Sequence, residues 1–368
     1  MAQQYSQLRA MLAITKGALI AIFRSPAAVA FSFGFPLVFI LVFGFINGGA
    51  PTVTFALMNQ RDSVSPVIRG LLRNPTIKLS EDRDSATDLK DLQKGRIAAI
   101  VSLDSAKSPS GLTEYTVRLQ TSNASADKYP IFKEGLAQVF EESVEKYNVS
   151  QYRPIIVDEL PVLPGRQYSM IDFILPGMLG FSLLSAAVFG VAFLFFSLRQ
   201  QLVLKRFYST PISKTYIVLG EGLARVLFQL ITAIVILALG WTTFHFTMVN
   251  GWVTFWEMLF LSLFGLIVFM GCGFIISSVA KNESVIPIFA NVITLPQFLL
   301  SGTFFTIDVF PGWLQPICRW LPLTQLNDAM RKVSFEGAHL TDCGKELGIL
   351  VIWGIVIYAV AIKVFKWE

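Results

Sequence analysis

Five ionisable side chains lie inside or beside long apolar runs of this sequence: Asp172, Glu221, Arg225, Glu257 and Glu283. An ionised group is costly at membrane depth, so such residues face a protein interior or a wet cavity, or pair with one another. Glu221 and Arg225 stand four apart, the spacing at which a carboxylate and a guanidinium meet on one helix face. A local ion pair is the plainer reading and a part in moving a solute the sharper one. Asp172 and Glu257 fall near the ends of their runs, within reach of water. Asn291 and Gln297 sit deeper, in a run that Pro287 and Pro296 are expected to break, and a broken helix frees carbonyls that need partners. Those two amides are the better candidates for lining a path. Met178, Phe181 and Phe189 are placed to line an apolar route or, more plainly, to pack or to meet lipid.

Enzymatic chemistry has little to work with. His245 and His339 are the only histidines, and neither has a clustered partner in sequence. The polar stretch from Gly48 to Tyr168 holds no histidine or cysteine, and its carboxylates are scattered along helix-like segments. Cys272, Cys318 and Cys343 have neither metal nor redox spacing, and unpaired thiols are the expectation. No Gly-x-x-x-x-Gly-Lys-Ser/Thr phosphate loop occurs. No catalytic residue, metal ligand or bound cofactor is therefore assigned. Fifteen basic and fifteen acidic residues between Gly48 and Tyr168 cancel, so the net charge of +5 belongs to the apolar remainder. A nucleic-acid binder would gather that charge on a soluble face.

The elements that must position these residues are six apolar runs, each near or above the ~20 residues a helix needs to cross hydrocarbon. With 54% hydrophobic residues, 32 phenylalanines and a mean hydropathy of +0.59, the chain reads as a polytopic α-helical membrane protein. The expected spans are 26–47, 169–198, 215–243, 252–280, 284–305 and 346–364, split one plus five by an insert at 48–168. The first run resembles a signal peptide only superficially, because its polar lead and its apolar stretch are both too long. Arg9, Lys16 and Arg24, then Arg199, Lys205, Arg206 and Lys214, then Lys281, then Lys363 and Lys366 make every second connection basic. Basic connections face the cytoplasm, which places both termini there and the insert, the turn near Phe244–Gly251 and residues 306–345 outside. Trp241, Trp252, Trp256, Trp313 and Trp320 fall near the external boundaries. Residues 1–25 form an amphipathic helix, Arg9, Lys16 and Arg24 on one side and Leu8, Leu12, Leu19 and Phe23 on another, suited to the inner interface.

The insert reads as one α/β domain. Val53–Met58, Ile97–Leu103 and the alternating Tyr115, Val117 and Leu119 suggest strands; Val64–Leu72, Asp84–Lys94 and Lys128–Tyr147 suggest helices. Asn123 and Asn148 head glycosylation sequons, meaningful only on a eukaryotic secretory route.

Two stretches outside the spans carry the most specific signal. Residues 199–214, Arg-Gln-Gln-Leu-Val-Leu-Lys-Arg-Phe-Tyr-Ser-Thr-Pro-Ile-Ser-Lys, mix basic and aromatic residues ahead of Pro211, suiting a helix that enters a partner's groove or lies on the membrane surface. Residues 301–331 hold prolines at 311, 316 and 322, which forbid a continuous span, yet are too apolar for a soluble loop. Short helices dipping into the outer leaflet reconcile the two.

At these residues the chain resembles the permease subunits of type-2 ATP-binding-cassette (ABC) exporters of bacteria, over nearly its whole length. The resemblance implies an ATPase-coupling helix at 199–211, with Arg199, Gln200, Leu202, Lys205, Arg206, Phe207, Tyr208 and Pro211 as its contact residues. It implies a re-entrant outer gate carrying Phe305, Pro311, Trp313, Pro322 and Arg331. It further implies two cytoplasmic ATPase subunits binding ATP and Mg, a second permease chain, identical or paralogous, and residence in the inner membrane, with a periplasmic adaptor reached through the external domain as an option. Family members often begin the coupling loop with acidic residues and a glycine, whereas Gln200 and Gln201 stand here. The implied cargo is hydrophobic or amphipathic: a drug-like molecule, a lipid or a lipid-linked compound. A cation extruder of the same architecture is the alternative, disfavoured by too few carboxylates in the spans. A membrane sensor or scaffold with a ligand-binding external domain is the alternative of another class, and would not require a docking helix.

Overall fold

A computed structural model describes residues 6–45, 53–80, 85–93, 95–107, 113–126, 128–146, 156–163, 169–200 and 212–364. The chain divides into two compact units, Met1–Ile46 with Met170–Glu368, and Asn47–Ser169.

The first unit opens with α1 (Gln7–Phe23), whose first turn is capped by Ser6 Oγ accepting from Arg9 N. The first apolar run is not one regular helix. It comprises α2 (Pro26–Val29), a π-helical turn (Ala30–Gly34) and α3 (Phe35–Phe45).

The second unit is built from β1 (Val53–Leu57), α4 (Pro66–Leu71), β2 (Ile77–Leu79), α5 (Ser85–Gln93), β3 (Ile100–Lys107), β4 (Thr113–Gln120), α6 (Tyr129–Lys146) and β5 (Ile156–Glu159). Its five strands are ordered β2-β1-β3-β4-β5. Only β3 and β4 are antiparallel, with Val101 opposite Leu119; β1 runs parallel to β2 and β3, and β4 to β5. Alternation along the strands sends Val53, Phe55, Val101, Val117 and Leu119 to one face, under Ile68 and Leu71 of α4 and Phe132, Leu136 and Val139 of α6. Ala56 and Ile100 turn the other way, to Leu92 of α5 and Ile97.

Glu159 ties α6 to the edge strand β5, accepting from Tyr129 Oη at 2.6 Å and Lys133 Nζ at 2.8 Å. The bonds from Lys133 and Tyr129 hold its carboxyl below the ordinary range, while burial and the bond to Glu159 push the Tyr129 phenol up. A depressed folded value means that the tie is fully present above the unfolded carboxyl value of ~4.3 and is lost as pH falls through the lower folded one. Hydrogen–deuterium exchange on the full chain should show α6 loosening only as pH falls beneath the ordinary carboxyl range. Glu159→Gln should show the loosened α6 already at neutral pH. Identical α6 protection in both proteins at pH 7 would count against the tie.

Among the described residues five helices are long and apolar enough to cross a membrane. They are α7 (Met170–Gln200), the stretch Thr215–Phe244 of α8 (Lys214–Phe244), α9 (Trp252–Val279), the stretch Glu283–Leu300 that includes α10 (Ile286–Leu300), and Leu340–Val364, which includes the last helix. Between Leu300 and that helix lie a 3-10 turn (Ile307–Val309), α11 (Gln315–Trp320), α12 (Pro322–Arg331), a π-helical turn (Lys332–Glu336) and a second 3-10 turn (Leu340–Cys343); α13 is Gly344–Val364. The prolines explain the fragmentation: Pro316 and Pro322 occupy first turns, where a missing N–H costs nothing. Pro287 likewise opens α10, and Pro296 lies inside it without ending it, so the expected break in this span is not observed.

The core of the unit is α7, buried from Ile174 through Phe196 on the faces that meet α9, α8 and α12. α1 lies along the start of α8. The Thr15 hydroxyl is 3.0 Å from both Met11 O and Gly220 O, and Phe23 meets Phe228 edge-on at 5.0 Å. This contact uses the Thr15 edge and leaves Leu8 and Leu12 exposed.

Candidate functional site

The densest polar structure of the membrane unit surrounds α12. Eight of its ten residues are buried, including Thr324, Gln325 and Asn327, which is unusual for a segment this polar. Each buried group must then find a partner inside the protein. Gln297, on the last turns of α10, accepts from Leu323 N at 3.3 Å, satisfying one of the orphan amides that open α12. Thr324 Oγ1 donates to Cys318 O at 2.7 Å and Gln325 Nε2 donates to Arg319 O, binding α12 back to α11. Asn327 Nδ2 faces Ser301 O and Thr303 Oγ1 at 3.4 Å each, and the Ser301 and Thr303 hydroxyls are 3.0 Å apart. Asn327 reaches this position because Gly180 of α7 has no side chain: a Cβ there would lie 2.3 Å from Asn327 Oδ1. α11 is tied to the last helix by Trp353 Nε1 donating to Trp320 O at 2.8 Å.

Arg331 closes the knot. Its Nε and Nη2 donate to Phe173 O at 3.2 and 3.0 Å, and Nη2 also donates to Gly302 O at 2.6 Å. The guanidinium lies 3.8 Å from the centroid of the Phe173 ring and 3.7 Å from Asp328 Oδ1. One side chain thus joins the end of α12, the start of α7 and the turn after α10. That turn depends on Gly302, whose φ of +70° suits glycine.

Further charged groups flank the knot. Lys332 Nζ lies 2.7 Å from Glu346 Oε1, in a pair whose carboxylate is buried. His339 Nδ1 is 3.1 Å from Glu257 Oε1, so His339 has a carboxylate partner that its sequence position does not suggest. Asp172 is 1% exposed and accepts from Thr247 N at 2.8 Å, correcting the expectation that water reaches it.

At the other end of the helices the polar groups are sparser. Gln229 Nε2 donates to Ser182 Oγ at 3.0 Å, and Ser182 donates to Ser32 O at 3.1 Å, linking α8, α7 and the π-helical turn of the first run. No ion pair joins Glu221 to Arg225 among the described residues, and Arg225 Nε is buried without a hydrogen-bond partner. Glu221 and Arg225 nevertheless act on each other's charge, as the plainer sequence reading expects, but without direct contact, and the guanidinium also reaches across to Gly190 of α7. Arg199 donates from Nη2 to Ala280 O at 2.7 Å and from Nη1 to Ser278 O at 3.3 Å.

Of the other sequence-derived candidates, Met178 is fully buried in the core, and Phe189 is partly buried against it. Phe181 belongs to an aromatic cluster, 3.9 Å from Phe298 and 5.5 Å from Phe35 by ring centroid. Gln297 is buried, while Asn291 is exposed, with Ile288, Val292, Leu295 and Leu299 exposed on the same helix. Phe305, Pro311 and Trp313 are exposed and Pro322 is buried. Gln200, the last residue of α7, is exposed; Leu202, Lys205, Arg206, Phe207, Tyr208 and Pro211 lie outside the described residues, as does Asn148. Cys272, Cys318 and Cys343 are free and buried. The knot's partners are mostly main-chain groups, which residue type does not mark: Gln297, expected on a path, instead caps α12, and Arg331 holds the Phe173 and Gly302 carbonyls.

Long apolar helices, with an amphipathic segment folded among them and held by internal polar contacts that leave Asn327 Oδ1 without a partner, define a polytopic helical membrane protein. Residues 27–363 match the model of the ABC-2 family transporter proteins, and the chain belongs to that family, as a permease component that is not itself the ATPase. It is 21% identical over 405 residues to the linearmycin resistance permease protein LnrN of Bacillus subtilis, covering 98% of this chain and all of that protein. It is 22% identical over 373 residues to ABC transporter G family member 20 of Dictyostelium discoideum, of which it spans 51%. The inner membrane transport permease YadH of Escherichia coli is 25% identical over 198 residues, 52% of this chain and 73% of that protein.

Proposed function

We propose that the chain is the membrane permease of an ATP-driven exporter for hydrophobic or amphipathic molecules. It works with two copies of a cytoplasmic ATPase, which bring ATP and Mg, and with a second permease chain. In this reading the chain crosses the membrane six times, the first crossing being the α2–α3 run. Both termini are cytoplasmic, the sheet unit is extracytoplasmic, and residues 301–337 form the outer gate. The loop after Gln200, with Phe207 and Tyr208, docks on the ATPase.

The observation that carries the reading is the exposed face of α10. Ile288, Asn291, Val292, Leu295 and Leu299 recur at helical spacing on a span whose opposite side, Ala290, Thr294 and Gln297, is buried. An exposed amide in such a stripe favours a protein partner over lipid. A second copy meeting this face would place the substrate path between two chains, with spans two and five as its walls and the α12 knot at one end. The absence of a phosphate loop in the sequence supports a separate motor. The resistance role in the name of the Bacillus relative supports an amphipathic, drug-like cargo.

The test is co-purification and transport. Tagged chain should retain an ATPase, and vesicles holding both should move a fluorescent amphiphile only with ATP. Phe207→Ala with Tyr208→Ala should abolish both. ATP hydrolysis by the purified chain alone, or unchanged ATPase retention by the double variant, would contradict the assignment.

A further inference from the structure

We propose that Arg199 is a positioning residue that carries displacement of the coupling loop sideways into α9 and from there into α10; the proposal rests on the exporter reading above. The sequence suggests Arg199 as a docking contact for the ATPase. The structure turns its side chain the other way. α7 ends at Gln200, and the guanidinium of Arg199 reaches across to the end of α9, where Nη2 donates to Ala280 O at 2.7 Å and Nη1 to Ser278 O at 3.3 Å. The last four carbonyls of a helix have no partner within it, and the helix dipole favours a cation beside them. Arg199 meets both demands at once. Phe196, one turn earlier, lies 5.4 Å beneath the guanidinium and restricts its approach, while Phe195 meets Phe274 of α9 at 4.7 Å.

Ala280 is the point at which this grip reaches α10. It is 1% exposed and leaves the helical conformation, with φ −65° and ψ 126°. Only Lys281 to Val285, a bend and a 3-10 turn, separate it from α10. The peptide carbonyl that Arg199 grips is therefore the hinge at which α9 hands over to α10. The next residues after α7, in the other direction, are those of the coupling loop. A motor that moves that loop pulls on Arg199, and Arg199 moves the α9–α10 hinge without the loop touching α10. A guanidinium suits this task because its planar fork fixes two acceptors, whereas an ammonium binds as a point.

The tie itself is read on the full chain alone, from the mobility of a spin label at Asn282→Cys; the three native cysteines are buried and escape labelling. Label mobility should rise in Arg199→Gln and less in Arg199→Lys. Transmission is read in the complex with its ATPase, as the distance between the Asn282→Cys labels of the two permease chains with and without trapped ATP. The parent complex should show a nucleotide-dependent shift. Arg199→Gln should keep the ATPase bound yet reduce the shifted population by roughly tenfold or more, the scale of one lost charge-assisted bond, and Arg199→Lys should recover part of it. An unchanged shift or unchanged mobility in Arg199→Gln overturns the proposal. Loss of the ATPase from that variant also overturns it, since Arg199 would then be a docking contact. Failure of the parent chain to bind an ATPase would instead sink the exporter reading, leaving the tie to be judged by mobility.

Discussion

Arg331→Leu is expected to lower the thermal midpoint of the detergent-solubilised chain by about 5–15 °C, measured by size-exclusion profile after heating. The size of the effect comes from the contacts of the guanidinium. Phe173 O and Gly302 O together receive three bonds of 2.6–3.2 Å from it, around a side chain only 13% exposed. Bonds with a charged donor contribute roughly 1.5–3 kcal/mol each, and an acceptor left buried without its partner costs about 1–3 kcal/mol. Three bonds onto two carbonyls overlap, so a loss of about 2–5 kcal/mol is the expected total. Arg331→Lys retains the charge but not the fork, and should fall between the two proteins. The Arg331→Leu change should also free the α12 knot from the start of α7. If residues 301–337 form the outer gate, ATP-dependent transport should then leak or stall even where folded protein survives. An unchanged midpoint in Arg331→Leu would show that Asn327, Gln297 and the apolar contacts of α12 suffice without it.

The sequence carries the long elements well because their physics is local. A run of apolar residues at 170–200 or 252–279 leaves a helix little alternative, and strand alternation at Val117 and Leu119 marks one buried face. The misses share a cause. β2 and β5 are three and four residues long, and they exist because β1 and β4 offer them an edge. The π-helical turn at Ala30–Gly34 leaves no mark in composition. The prolines of 301–331 foretold a broken segment, but not that Gln297 would cap α12 or that Arg331 would hold two main-chain carbonyls. Backbone acceptors are the same at every position, so no residue pattern can point to them. For the same reason Arg199 read as a contact to be offered outward, whereas its partners are the carbonyls of Ser278 and Ala280.

Gly273→Ala should destabilise the membrane unit by roughly 1–3 kcal/mol, and Gly273→Val by more, while Gly354→Ala should be neutral or stabilising by about 0.5–1 kcal/mol. The contrast isolates close helix approach from helix propensity. A Cβ at Gly273 of α9 would stand 2.6 Å from Val191 Cβ and 3.0 Å from both Ala187 O and Val188 O of α7. Two of those three neighbours are main chain and cannot rotate away, so the two helices must part. At Gly354 of α13 the nearest atom is Val268 Cγ2 at 3.5 Å, an ordinary contact, and the helix gains alanine's propensity. Heating profiles of the three variants decide the matter, and equal midpoints for Gly273→Ala and Gly354→Ala would show that the α7–α9 seam yields more easily than its backbone contacts imply. Gly273 also lies about two turns before the carbonyls that Arg199 grips. Parting α7 from α9 there would lengthen the Arg199 bonds to Ser278 O and Ala280 O. Gly273→Ala should therefore raise the mobility of a label at Asn282→Cys in the direction that Arg199→Gln does, although the two residues never touch the label or the motor. Agreement between a packing change and a hydrogen-bond change at one reporter would identify the α7–α9 seam, and not either side chain alone, as the element that moves as a body.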